Sequence, residues 1–345
     1  MSVWYILLAI PVIEALILIH ELGHYICARI CGVEIKEFSI GMGPKIFGWV
    51  SSKTQIRYCI KLLPIGGYVS MAGEDEDSDS ENAFNKKSVW KRLLIVISGP
   101  IMNLVLGFIL VVIMVSISGN LYSNVINYSD DISAISQESG LQSGDRIIKV
   151  GSTRVHTWSE VSDEVFNKGY KPIDITVIRG GEKIVVKNVV FPTLEESGVL
   201  FGQPDFSPSK DDYSYGNILK HSFYRSLSTV RLVVGSFIDL IKGRYGVDAV
   251  SGPIGISQTI GAFAQLGAYH FLFIVSLISI NLGVFNLFPF PGLDGGRLLF
   301  LVIEAFLGKP LNRNVEGYIH FVGIIILLGL ALTVTFNDIL RLFTK

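Results

Sequence analysis

The stretch WYILLAIPVIEALILIHELGHYICA, residues 4–28, decides how the chain is read. From Val3 to Ile19 it is apolar except for one charge, Glu14. About 20 such residues form a helix that crosses a bilayer core of about 30 Å. The run leads straight into His20-Glu21-Leu22-Gly23-His24. Residues four apart share a helix face, so both imidazoles reach one cation. Glu21 stands beside them, positioned to take a proton from a water at the metal, as in the HExxH pattern of hydrolytic zinc sites. At 1.5 Å per residue His20 lies about 24 Å along the helix from Trp4, near the far edge of the apolar layer but inside it. The five-residue pattern is short enough to arise by chance in a soluble helix. Its setting gives it weight, because ionisable side chains at membrane depth are costly and mark function.

The composition agrees with a membrane reading. Of 345 residues, 50% are hydrophobic and 17% charged, with a mean hydropathy of +0.49, which suits a polytopic membrane protein with some soluble mass. A net charge of −1 implies no general attraction to nucleic acid, and none is expected as a partner. Leu93 to Ser118 holds no charged residue, Ala249 to Leu293 only His270, and Tyr318 to Asn337 only His320. Four spans are therefore expected, at 4–28, 94–118, 270–289 and 318–337. The first has no basic segment before it and no evident cleavage site after it, so it is not read as a removed signal peptide.

Basic residues set the orientation. Arg29, Lys36 and Lys45 follow the first span, and Lys86, Lys87, Lys91 and Arg92 precede the second. None follows the second until Arg146, while Arg297, Lys309 and Arg313 follow the third. Residues 29–92 and 290–317 are expected to face the cytoplasm, and 119–269 the outside. Arg341 and Lys345 run against this rule. Cys27, Cys31 and Cys59 then fall on the reducing side, where no disulfide is expected. A rival metal site of His24 with Cys31 fails on geometry, since the two are about 10.5 Å apart along a helix axis.

A catalytic zinc takes three protein ligands and leaves a place for water. The third candidate is Asp294, in Asn286-Leu-Phe-Pro-Phe-Pro-Gly-Leu-Asp-Gly-Gly296. The third span runs from outside to inside, which returns Asp294 to the depth of the HExxH turn. Pro289, Pro291 and Gly292 break the helix there, and irregular backbone at that depth must be buried in protein or line a wet cavity. An Asp after a membrane helix is ordinarily a cap; the depth and the broken backbone favour a ligand.

With these residues in hand the chain resembles the site-2 protease family of intramembrane zinc metalloproteases, most nearly the bacterial group that includes the regulator of sigma-E protease. The likeness rests on His20 to His24 and on Asn286-x-x-Pro289-x-Pro291-x-Leu293-Asp294-Gly295. It extends to Phe38-Ser-Ile-Gly-Met-Gly-Pro44, Pro64-Ile-Gly-Gly-Tyr68, Ser98-Gly-Pro-Ile-Met-Asn103 and Gly252-Pro-Ile-Gly-Ile256. The resemblance implies that His20, His24 and Asp294 bind Zn2+ and that Glu21 is the catalytic acid/base. It also implies that Asn281 and Asn286 help hold the substrate strand. It further implies residence in a bacterial inner (cytoplasmic) membrane, and substrates that are single-span membrane proteins already cut by another protease, such as anti-sigma factors, or signal-peptide remnants. Some members carry two tandem PDZ domains, whereas this chain has room for one.

The expected fold is a polytopic α-helical membrane protein of about four transmembrane helices, with a membrane-associated β-sheet and an inserted α+β PDZ domain. Residues 1–118 would hold the first two helices, the HExxH motif and a cytoplasmic β region at 35–72; 119–195 the extracytoplasmic PDZ domain; 196–268 a linker and amphipathic helix; and 269–345 the last two helices with Asp294. Ser139 to Gly151 resembles the PDZ signature in which a Gly-Asp turn leads into a strand. Trp158 to Asn167 reads as the domain's helix, Ile173 to Arg179 as a half-buried strand, and Gly180-Gly181 as a hairpin turn. The domain either selects substrates, by adding a peptide strand to a sheet edge, or acts as a size filter or spacer. Phe223, Leu227, Val230, Val234 and Phe237 suit an interfacial helix that guards entry, and equally a helix packed on the PDZ domain. Glu74 to Glu81 reads as a solvated acidic loop. Glu14 lines a water path, pairs within the bundle or reaches the outer surface. Two other classes compete with a protease. A catalytically silent PDZ adaptor would have no need of Glu21, and a metal transporter would spread its ligands along a path instead of at one depth.

Overall fold

The computed structural model describes residues 7–74, 78–129, 134–196, 198–244 and 251–344. In chain order the first elements are α1 (Ala9–Ile30), β1 (Ile35–Val50), β2 (Arg57–Met71), α2 (Val89–Ser118), β3 (Leu121–Asn127), α3 (Ile135–Glu138), β4 (Arg146–Val150), β5 (Thr153–Arg154) and α4 (Trp158–Lys168). There follow β6 (Ile173–Arg179), β7 (Glu182–Val189), β8 (Thr193–Glu196), β9 (Val199–Gly202), β10 (Ser207–Asp211), α5 (Tyr215–Ile241), α6 (Pro253–Gln265), α7 (Ala268–Phe285), α8 (Asp294–Leu307) and α9 (Arg313–Thr344). Two compact units result, one of residues 1–107 with 250–345 and one of residues 108–249.

Four helices are long and apolar enough to cross a membrane: α1, α2, α7 and residues Asn314–Leu340 of α9. They answer the four expected spans, and the chain is a multi-pass membrane protein. The third is shorter than expected, ending at Phe285 and not at 289. The residue before a proline is pushed out of the helical region, so Pro289 removes Phe288 from the helix and Pro291-Gly292 prevents a restart. Residues 4–6 of the first expected span lie outside the described residues. On α9, Phe321 and Leu332 present 62% and 71% of their surface outward, a lining that suits lipid tails and not water.

The first unit also carries the sheet expected at 35–72. Strand β1 pairs twice with β2: residues 35–40 lie between 67–71 on one side and 57–60 on the other, and 45–50 continue the pairing with 57–61. Glu37 pins this bend, accepting the Tyr68 hydroxyl and pairing with Lys61 at 3.1 Å. Burial alone would raise the Glu37 carboxyl, but the bonds from Tyr68 and Lys61 hold it below the ordinary carboxylate range. The loop at 74–81 is not wholly solvated as expected, because Glu74 forms an ion pair with Arg297. Residues 75–77 of that run lie outside the described residues.

The second unit is built on a sheet of order β10-β3-β4-β6-β7, with β5 added to β4. Its core is Ile126, Leu141, Ile147, Val150, Val161, Val165, Ile175 and Val177, with α4 supplying the two central valines. The Gly-Asp turn has a clear cause. Asp145 is fully buried, and Arg179 grips both its oxygens at 2.7 Å. Gly180 and Gly181 have φ of 58° and 88°, the left-handed pair that a tight hairpin between β6 and β7 requires. The expected boundary at 195 falls short. β8 pairs with β9, and β10 pairs with β3, so residues through 211 complete the sheets. Region 196–268 is therefore not simply a linker with one helix, and α6, within it, belongs to the first unit.

Candidate metal centre

Helix α1 buries one stripe: Leu16, His20, Gly23, His24 and Ala28. The stripe packs on α2, and the approach is close because both sides are small. A Cβ on Gly23 would stand 2.4 Å from the Ser98 carbonyl oxygen. A Cβ on Gly99 would stand 2.3 Å from His24 Nε2 and 2.8 Å from His20 Nε2. The interior residue of the motif is thus glycine because α2 touches it there.

Asp294 arrives from the far end of the chain as the first residue of α8. The irregular segment 286–293 folds back over that helix start, with Gly295 N–H donating to the Asn286 carbonyl at 2.7 Å. Gly295 is required, since a Cβ there would lie 2.0 Å from the Phe288 carbonyl oxygen. The result is a cluster of three donors. His20 Nε2 is 2.9 Å and His24 Nε2 3.3 Å from Asp294 Oδ2, and the two imidazole nitrogens are 3.2 Å apart.

These donors fit a zinc ion. Four ligands at about 2.0 Å in a tetrahedron are separated by about 3.3 Å, close to all three distances here. The outer nitrogens are held as such ligation demands. His24 Nδ1 donates to the Ile95 carbonyl at 2.8 Å, which leaves its Nε2 lone pair free. His20 Nδ1 lies 3.1 Å from the Asn103 amide, while Asn103 Oδ1 is buried without a partner. Turning that amide by half a rotation presents Oδ1 to the His20 Nδ1–H and frees Nε2. Asn103 is itself held by α7, whose Ser279 hydroxyl donates to its backbone carbonyl at 2.8 Å.

Glu21, the expected base, lies beside β2: a Cβ on Gly67 would be 3.6 Å from Glu21 Cγ. Residues 67–71 form an outer strand of the sheet, paired on one side by 35–40, and no further strand pairs with them among the described residues. Asn281 and Asn286 are not joined to the donor cluster. Among the described residues no hydrogen bond links their side chains to His20, His24 or Asp294, and Asn281 Oδ1 is buried without a partner. Asn286 contributes through its backbone, as above. Cys27, Cys31 and Cys59 are free thiols outside the cluster. Asn103 stood in a quoted motif without a role; the signal for one was an amide in the middle of a charge-free span.

Comparison with known proteins accords with this geometry. The family model described as peptidase family M50 matches residues 8–330. A relative from Clostridium acetobutylicum is 36% identical over 343 residues, covering 98% of each chain. Zinc metalloprotease RasP of Bacillus licheniformis is 30% identical, with 97% of this chain and 98% of that one covered. The regulator of sigma-W protease RasP of Bacillus subtilis is 28% identical over the same shares.

Proposed function

The chain belongs to peptidase family M50, and from that premise we propose that His20, His24 and Asp294 hold the zinc ion and Glu21 moves the proton. The protein is an intramembrane zinc metalloprotease, hydrolysing peptide bonds in or beside the membrane segment of other proteins. The observation that carries the residue assignment is the meeting of the His20–His24 pair with Asp294, 274 positions beyond His20 in the chain, with all three donors within 4.8 Å of one another. A bound zinc supplies Lewis acidity to the scissile carbonyl and to water. Glu21 accepts the proton of the attacking water and passes it to the leaving amine. His24, through Ile95, and His20, through Asn103, keep their metal-facing nitrogens unprotonated.

A helical substrate hides its amides, so cleavage needs an extended strand. The outer strand 67–71 beside Glu21 offers main-chain partners for one. Asn281, with a buried unpartnered carbonyl oxygen, is suited to a substrate amide; Asn286 shapes the loop that carries Asp294. The 119–211 sheet unit acts as a PDZ-like domain outside a bacterial cytoplasmic membrane, with the active site toward the cytoplasm, a reading supported by the basic residues at 29–92 and 290–317. Substrates are single-span proteins trimmed beforehand; the sigma-W regulator's name suggests membrane-tethered anti-sigma factors among them.

The test is the Glu21→Gln protein, purified and offered a single-span substrate. Zinc content stays at the wild-type level while cleavage falls about 10²–10⁴-fold, the usual contribution of a positioned acid/base. Cleavage at the wild-type rate would remove Glu21 from the mechanism, and loss of zinc would assign it to the metal instead.

A further inference from the structure

The second unit holds a concave site that peptide hydrolysis does not use. A cavity of about 450 Å³ opens beside its sheet, rimmed by Arg146, Lys149, Arg154, Lys183 and Lys220. No carboxylate lines it. Lys220 has Asp211 at 3.8 Å, but Arg146, Lys149, Arg154 and Lys183 have no ion pair among the described residues. Five cations around one hollow repel one another, and an anion seated among them relieves that repulsion. The chain as a whole has no such bias, since its net charge is −1 with these five cations included.

Position tells which anion. Strand β3 starts at Leu121, three residues after the membrane helix α2 ends at Ser118. Val125 pairs antiparallel with Arg146, so β4 runs back toward that helix end. Lys149, three residues further on, sits roughly 10 Å nearer to it, and Arg154 is its strand partner. The Tyr213 hydroxyl donates to the Ser116 carbonyl at 2.5 Å, which ties the approach to α5 to the last turns of α2. From there α5 exposes Tyr215, Leu219 and Phe223, one apolar stripe at helical spacing immediately beside Lys220. A cationic hollow at the mouth of a membrane helix, next to an apolar stripe, matches a molecule with a phosphate at one end and a hydrocarbon tail at the other.

We propose that this cavity binds the phosphate headgroup of an anionic phospholipid, whose acyl chain runs along Leu219 and Phe223. Binding would hold the sheet unit against the membrane surface. Retention of added lipid by the full-length protein in neutral detergent, read by native mass spectrometry with phosphatidylglycerol and phosphatidylcholine of matched chains, tests this. The wild type retains one phosphatidylglycerol in preference to phosphatidylcholine. Lys149→Gln, Arg154→Gln and Lys183→Gln together weaken that retention roughly tenfold or more. The charge-matched control Lys53→Gln, Lys187→Gln and Lys309→Gln leaves it unchanged. Both sets alter side chains that make no ion pair among the described residues, and equal melting temperatures confirm intact folding. Equal retention of the two lipids, or equal weakening by the two triple variants, overturns the proposal. So does displacement of the lipid by inorganic phosphate at matched concentration, which would make the site one for a free anion.

Discussion

In residues 108–249 the core is apolar, with Ile126, Leu141, Ile147, Val150 and Val165 at its centre, and the carboxylates buried beside it, Asp145 and Glu160, are each held by an arginine. Around residue 20 the contact between the helices is itself polar. His20, His24, Asn103, Ser276 and Ser279 are buried, and Ile26, Ile30, Val105 and Ile109 on the same helices face outward. The solvent explains the difference. Water drives apolar groups inward, so the second unit coheres by hydrophobic burial. Lipid offers apolar groups no reason to leave it, so the helices cohere through close small-residue contact and interior hydrogen bonds. Both units bury polar atoms, but in the first those atoms form the contact between membrane helices.

The sharpest way to break this contrast is the same substitution in both units. Gly99→Ala puts a Cβ 2.3 Å from a metal-facing nitrogen, so helix α2 must move away from α1. Zinc in the purified protein should fall to near zero by elemental analysis, with cleavage lost. Gly235→Ala, on α5, meets nothing within 4 Å. It should leave zinc and activity unchanged and stabilise its unit by about 0.4–1 kcal/mol through the unfolded chain. Retained zinc in Gly99→Ala would mean that the helices are not in contact at the histidines.

The second unit buries Asp145 against Arg179, as it buries Glu160 against Arg231. Asp145→Ala strands the guanidinium and removes the acceptor for the Gln142 N–H. Arg179 is half-buried and water can take up part of its charge, so the loss should be about 1–3 kcal/mol, that of hydrogen-bonding groups left without their partner. Amide exchange across β4, β6 and β7 should accelerate accordingly, with zinc content unaltered. A loss under about 1 kcal/mol would place the pair among surface ion pairs instead.

How much of this was legible follows the same division. The spans, the HExxH face, Asp294 and the Gly180-Gly181 hairpin were readable because hydropathy, helical period and turn chemistry are written in side chains. β10 was not. Ser207-Pro-Ser-Lys-Asp211 has no alternation, and it becomes a strand because β3 has an edge to pair. The Ile95 carbonyl that orients His24 is a backbone atom and leaves no mark in sequence. Nor do the end of α7 at Phe285 and the Glu74–Arg297 ion pair, which depend on neighbours brought by folding.

A smaller test sharpens the role of interior hydrogen bonds. Asn103→Leu removes the partner of His20 Nδ1 without touching the metal-facing atoms. Zinc affinity, measured by chelator competition, should weaken about 10–100-fold, the usual effect of losing a group that orients a ligand. Unchanged affinity would leave the Asn103 amide a packing feature only.

The smallest expected effect belongs to the second unit. Asp211, at the end of β10, accepts from His221 Nε2 at 3.0 Å. Burial would raise its carboxyl, but the bonds from His221 and the Asp212 amide, with the charge of Lys220, hold it below the ordinary range. A carboxyl depressed by folding contributes stability that is fully present above its unfolded value, about 4, and is lost as pH falls through the lower folded value. Amide exchange in the first turns of α5 should therefore accelerate below about pH 4 in the wild type. In Asp211→Asn it should already be faster at neutral pH and change less on acidification, because the group that titrates is gone. Parallel acid profiles for the two proteins would show that β10 and α5 are joined by packing alone, as the core of this unit would lead one to expect.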